Sequence, residues 1–498
     1  MGRKETHLST YNILVVIFVA LGSVTYGFCA SIIATTLGQP TFISYFNLDD
    51  AGYSAQIMGA IQGLFQAGGL FGALSIGFLA DRYGRRKTIF LGSLLAVIGG
   101  GLQAGSVHIA MFLVARLISG IGIGNLVIIV PLWQSEVSSP ATRGLLVGFH
   151  GVFILCGYSF ANWVGVGFFH VQASGAQWRI PLAIQCLTPL ILLGGVMRLP
   201  ESPRWLIQQK DTTTALQILG KLHGTGTTED GSSYGKLEFD SIVAQLAHDQ
   251  SLPSSWKTIF TTKSYRKRAI IGFLTMFLGQ GTGTMIINNY GPSIYAGMGY
   301  DTSMQLILTA LWTTIGIFLN ALSAVLMDRV GRVKLMIIGY IGCAFVLMMM
   351  AIMLSQYQGT TNSAGLSAAV FFIFLHIGVY GVCIDGVTYV YCTEIWPMHI
   401  RAKGSALAAT GLFTSSVIIL SISPTVFNSI SWRYYFVFMS ICIIATAATR
   451  YWWPETKGVA LEDIGRLFND TVFETLTASE LEIDGVATKQ EMTEKTSL

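Results

Sequence analysis

The 498-residue chain is 52% hydrophobic and only 11% charged, whereas a soluble globular chain carries about 25% charged residues. Its mean hydropathy of +0.58 and its long, unbroken apolar runs exclude a soluble fold and a barrel of short alternating strands. The net charge of +4 gives no reason to expect a nucleic-acid partner, and the placement of the charges carries more information than their sum.

Twelve runs are long enough to cross a bilayer, which takes about 20 apolar residues each. They lie near 12–36, 56–80, 88–106, 109–131, 144–168, 178–198, 269–291, 304–327, 334–354, 367–392, 402–424 and 432–453. The expected fold is an all-α membrane protein of twelve transmembrane helices in two pseudo-symmetric six-helix bundles. The expected organisation is a cytosolic N-terminus (1–11), an N-terminal bundle (12–198), a cytosolic linker with short amphipathic helices (199–268), a C-terminal bundle (269–453) and a cytosolic tail (454–498). Of 30 Lys and Arg, only Arg179 and Arg433 fall in connections on one side, and Arg116 falls inside a span. The other 27 mark the opposite ends of the spans, which places both termini and the linker in the cytosol.

The first run leads directly into further spans and lacks a cleavage-site pattern, so it reads as a retained helix. All seven cysteines fall in predicted spans, so neither a disulfide framework nor a metal site is expected. His150 and His376 lack acid partners at metal-ligand spacing and read as packing or helix-end residues. The one glycosylation sequon, at Asn469, falls on the cytosolic side. The tail after about Leu467 has the composition of a disordered segment.

The chain repeats itself once. GFLADRYGRRK (77–87) is echoed by LMDRVGRVK (326–334), and PLWQSEVSSPATRG (131–144) by YVYCTEIWPMHIRAKG (389–404). The offsets are 247 from Asp81 to Asp328 and 258 from Glu136 to Glu394, and Glu and Arg stand seven apart in both copies (Glu136 and Arg143, Glu394 and Arg401). Two such halves imply a ligand site between them near mid-bilayer. In the tenth run, Asp385 lies about 13 Å along the helix from Glu394, deep enough that an ionisable side chain there marks a functional site.

These motifs, with LPESPRWL (199–206) and WPETKG (453–458), come in the order that resembles the sugar porter branch of the major facilitator superfamily, over nearly all of 12–465. YGFCASIIATTLGQPTF resembles fungal monosaccharide transporters in particular. The resemblance implies a secondary transporter of a sugar, a monosaccharide or related polyol, by facilitated diffusion or proton symport. An exporter of a polar secondary metabolite and a non-transporting nutrient receptor are the rival readings. A monomer in the plasma membrane is implied, with no enzyme chemistry, no cofactor beyond a co-transported proton, and no partner beyond the substrate and the lipid bilayer.

Carried onto this chain, the substrate ring is much altered. The second glutamine of the family's pair is Gln280, but its first falls on Gly279, the following amide on Met285 and the tyrosine on Asn289. Helix five has Gly151 and Tyr158 at glutamine positions. Helix eight has Gly316 at the asparagine position, with Asn320 one turn along as a replacement amide. Helix ten has Tyr389 at the tryptophan position and Asp385 at a glycine position. The substrate-binding set is thus Gln280, Asn289, Asn320, Tyr389 and Asp385, with Tyr26 as an aromatic wall, while Gln62, Gln66 and Asn162 are further candidates.

Proton-coupled members carry an acid on helix one where this chain has Cys29, although their partner arginine remains as Arg116. A thiol, with a pKa of about 8.5 in water, is a poor proton carrier. Asp385 and Arg116 are therefore the coupling candidates, beside a simple uniporter. Asn288 and Asn289 ahead of Tyr290 and Pro292 indicate a break in helix seven. Asp81, Arg85, Arg86, Glu136 and Arg143 in one half, with Asp328, Arg332, Glu394 and Arg401 in the other, are expected to form ion-pair networks that gate the cytosolic side.

Overall fold

In lipid every backbone N–H and C=O must be satisfied within the protein, which leaves long apolar segments only the helix. The structure, a computed structural model, describes residues 10–48, 54–138, 143–171, 173, 175–223, 235–236, 239–240, 242–244, 246, 255–360, 362–459 and 464–468. The side chains of 143–149 are not among them, so the Arg143 contribution to a gate lies outside the described residues. So do the Asn469 sequon, the tail beyond 468 and the Gly- and Thr-rich part of the linker.

The first six spans are α1 (Thr10–Leu37), α2 (Ser54–Tyr83), α3 (Arg85–Ala104), α4 (Ile109–Val137), α5 (Arg143–Phe169) and α6, in two pieces, Ala176–Ile184 and Leu187–Val196. The second six are α7 (Lys263–Gln280 and Thr284–Ala296), α8 (Thr302–Val330), α9 (Arg332–Tyr357), α10 (Ser363–Tyr380, continued to Glu394), α11 (Arg401–Ile430) and α12 (Tyr434–Trp452). By length and apolarity alone the described residues give eleven spans, because Arg401–Trp452 runs as one 52-residue stretch. That stretch would be about 78 Å long if straight, and the turn at Ser431–Arg433 folds it into two. Twelve spanning helices result among the described residues.

The packing repeats with the sequence. In the first half α1 packs on α5, α2 on α4 and α3 on α6; in the second α7 packs on α11, α8 on α10 and α9 on α12. The halves meet along two further seams, α2 with α11 and α5 with α8. Small residues make the helix contacts close. A Cβ on Gly124 of α4 would collide with the Gly69 carbonyl of α2, and one on Gly120 with that of Phe65. Phe71, Phe78, Phe318, Phe371 and Ile444 point outward. Such a surface would drive aggregation in water and is what a lipid-facing exterior requires.

Two helices depart from regular geometry near mid-span. Gly281–Gly283 interrupts α7, with Gly283 at φ +84°, and Tyr290 sits at φ −119°, ψ 18°. The second break falls where Asn288, Asn289 and Pro292 predict one; the first was not foreseen. In α10 the turn Gly381–Asp385 is a π-helical turn, of the kind that recurs at functional sites.

Candidate functional site

Each half carries the same charged junction on its basic face. Gly84, at φ +88°, lets α3 begin against a carboxylate: the Arg85 N–H donates to Glu201 Oε1 at 3.0 Å, and the Arg86 N–H donates to the same group. The Arg85 guanidinium then forks onto Glu136, with Nε and Nη2 both 2.8 Å from its two oxygens, and approaches Asp81 at 3.8 Å. In the second half Gly331, at φ +111°, opens α9 on Glu455, which accepts from the backbone of Arg332, Val333 and Lys334. The Arg332 guanidinium donates to Glu394 at 3.2 and 3.0 Å and pairs with Asp328 at 2.8 Å. A carboxylate at a helix N-terminus takes up unpaired N–H groups and favours the dipole. Burial nonetheless pushes the Glu201 carboxyl up from its ordinary value, outweighing the N–H groups that lower it.

These junctions are the described part of the expected cytosolic charge network. Each of these four ion pairs joins groups of one half, so they brace a bundle and its helix ends. The reason is geometric: the motif arginine heads the helix that follows its own Asp and lies beside its own Glu. Arg86 donates to the Leu199 carbonyl, and Arg401 to the Trp396 carbonyl, both within their own halves. Glu201 and Glu455 were not in the sequence-derived site set, although the PES and PET of their echoed motifs carried the signal.

Between the halves, near mid-span, lies a narrow cavity of about 60 Å³, room for a few waters. The first half contributes Tyr26 of α1 and Gly151, Ile154, Leu155 and Tyr158 of α5. The second contributes Gln280, Thr284, Met285 and Asn288 of α7, Trp312 and Asn320 of α8, and Ile377, Tyr380, Asp385, Gly386 and Tyr389 of α10. The Asn320 amide donates to Asp385 Oδ2 at 2.8 Å, and Tyr380 lines the same cavity as that carboxylate. Residues five apart would stand about 140° apart on a regular helix. The π turn is what puts Tyr380 and Asp385 on one side. The Tyr26 and Tyr158 rings lie 6.4 Å apart.

Of the predicted set, Gln280, Asn320, Tyr389, Asp385 and Tyr26 come together here. Asn289 does not line the cavity: its amide donates to the Met285 carbonyl of its own helix at 2.9 Å. Asn288 and Thr284 take that face instead. Gln280 Oε1, Thr284 Oγ1 and Asn288 Oδ1 are buried without a hydrogen-bond partner among the described residues. Such orphaned acceptors at a cavity wall call for a polar occupant. Arg116 lies elsewhere, buried between α1, α2 and α4. Its guanidinium donates to the carbonyls of Ile61 and Cys29 at 3.2 Å each and covers the Phe65 ring at 3.8 Å.

His150 bonds Ser23 at 2.7 Å and His376 the Thr282 carbonyl at 2.9 Å, in keeping with their reading as packing residues. Gln62 and Gln66 are buried but off the cavity, and Asn162 ties Ser31 to Thr313. A second, larger cavity of about 370 Å³ opens at the face opposite the basic one. Its walls include Met58, Tyr290, Gln358, Phe427, Trp432 and Tyr435.

The chain matches the family model "Sugar (and other) transporter" over residues 15–468. It belongs to that family. An MFS-type transporter, criB, of Aspergillus cristatus is 32% identical over 459 residues, covering 92% of this chain and 93% of the relative. The arabinose-proton symporter of Bacillus subtilis is 28% identical, covering 93% and 96%. In three dimensions the chain superposes on a partially occluded inward open conformation of the xylose transporter XylE from E. coli with a TM-score of 0.77. That match has 21% identity and covers 91% of this chain and all of that one. It is a likeness of fold. The family member described here thus has the two-bundle architecture and a polar cavity between its halves.

Proposed function

We propose that this family member carries a monosaccharide or related polyol by alternating access, as a uniporter. The observation that carries the reading is the cavity itself: orphaned acceptors on Gln280, Thr284 and Asn288 face Tyr26, Tyr158, Tyr380, Tyr389 and Trp312. Each sugar hydroxyl that leaves water needs a polar partner, and the apolar faces of a sugar ring pack on aromatic rings. At about 60 Å³ the cavity is well under the 300–1,000 Å³ or so of ligand pockets, so the halves must separate before a hexose enters. The seams α2 with α11 and α5 with α8 are where that motion would occur.

Uniport is supported by Cys29 at the acid position of helix one and by Arg116, whose hydrogen bonds to backbone carbonyls tie it to the packing of α1, α2 and α4. The basic face is read as cytosolic, with both termini on that side, in the plasma membrane. The test is radiolabelled uptake of hexoses, pentoses and polyols by a transport-null yeast carrying this chain. Saturable uptake of at least one is expected, unchanged by a protonophore. Abolition of uptake by the protonophore would replace uniport with proton symport, and failure to take up any of the panel would reject the sugar reading.

A further inference from the structure

Asp385 is the one charged residue among those lining the central cavity; the described lining contains no Lys, Arg or His. Its hydrogen bond from the neutral amide of Asn320 supplies a donor but no counter-charge. A carboxylate held inside a membrane protein is costly unless it meets a positive partner. Around the same cavity stand four tyrosines, Tyr26, Tyr158, Tyr380 and Tyr389, with Trp312 in the same wall. Carboxylate and aromatic faces together form the surroundings that bind an ammonium group, the faces through cation–π attraction and the carboxylate through charge-assisted hydrogen bonds. A metal ion is a poor fit, since the described residues hold no group of three His, Cys, Asp or Glu that could bind one.

We propose that the cavity takes a polyhydroxylated molecule bearing a protonated amine, an amino sugar or aminopolyol, whose ammonium group sits on Asp385. The inference rests on the sugar reading above and narrows it. Gln280, Thr284 and Asn288 on α7 serve the hydroxyls. Asp385 and Asn320, on α10 and α8, serve the nitrogen and its neighbour. The same carboxylate repels anionic sugars, so uronic acids are excluded.

The experiment compares isosteric pairs at pH 6, where a sugar amine is protonated. Uptake of D-glucosamine, D-galactosamine and D-mannosamine is measured against D-glucose, D-galactose and D-mannose, with D-glucuronate as the anionic probe. One charge-assisted hydrogen bond predicts an amine-to-neutral preference of about tenfold or more in at least one pair, and no glucuronate uptake. Asp385→Asn is expected to bring that ratio close to one, and Asp385→Glu to keep it above one, with membrane abundance followed by a fluorescent tag. Should Asp385→Asn fail to reach the membrane, the wild-type ratios still decide. Neutral sugars taken up as fast as their amines, or a preference that survives Asp385→Asn, would overturn the ammonium site and leave the sugar reading standing. Uptake of none of the probes would overturn both.

Discussion

Arg85→Ala is expected to lower the apparent melting temperature of the detergent-solubilised protein by on the order of 10 °C. The side chains of Arg85 and Glu136 are only 5% and 8% exposed, and the pair is a two-pronged fork with both arms at 2.8 Å. Removing one member of a buried pair strands the other and costs about 3–5 kcal/mol. For a bundle of this size each kcal/mol corresponds to about 2–4 °C. Arg85 also donates to the Ala80 carbonyl at the end of α2, so its loss frees a helix terminus as well. Arg332→Ala should be milder, because Arg332 and Glu394 are more exposed, at 12% and 18%. A thermal-shift series over both variants checks the ranking; negligible shifts would show that these junctions do not brace their bundles, and equal large shifts would overturn the ranking by exposure.

Gln280→Ala is expected to raise KM for the transported sugar about 10- to 100-fold, while Asn289→Ala changes it less than threefold. The Gln280 oxygen is a buried acceptor without a protein partner at the cavity wall. A sugar hydroxyl bonding there loses about 1–3 kcal/mol when the group is removed. Asn289 is turned away and bonded to its own helix, so its substitution reaches the substrate only indirectly. Concentration-dependent uptake by both variants separates the two faces of α7. The opposite ranking would mean that the helix turns Asn289 inward when the substrate binds.

That contrast shows where the sequence stopped being legible. The twelve spans, the internal repeat and the break at Tyr290 follow from apolar run length, echoed motifs and proline, and all are found. The Asn320 and Asp385 pairing was within reach, since Asn320 stands one turn from Gly316 on the same face and Asp385 stands out as an acid inside a span, at a position where the resemblance implies a cavity-facing glycine. The facing residue on α7 was not, because Gly281–Gly283 interrupts the helix and resets its phase. An error of one residue turns a side chain by about 100° and exchanges Asn289 for Asn288. The π turn at Gly381–Asp385 left no trace in composition. The charged motifs announced themselves but not their partners: spacing could not show that Arg85 meets Glu136 and Arg332 meets Glu394, each within its own half. Glu201 and Glu455 were visible only as letters of a motif, because their work is to hold backbone N–H groups, which no side-chain pattern records.

The account depends on a polar compound occupying the space between the two bundles, held from both sides, while they exchange which face is open. The most direct measurement is a density map of the protein with its best-transported substrate. The predicted result is a ligand between Gln280 and Asp385, within hydrogen-bond distance of Asn288 or Asn320 and against Tyr26 or Tyr389. A ligand found only in the larger cavity by Trp432 and Tyr435, with the central cavity closed, would contradict it.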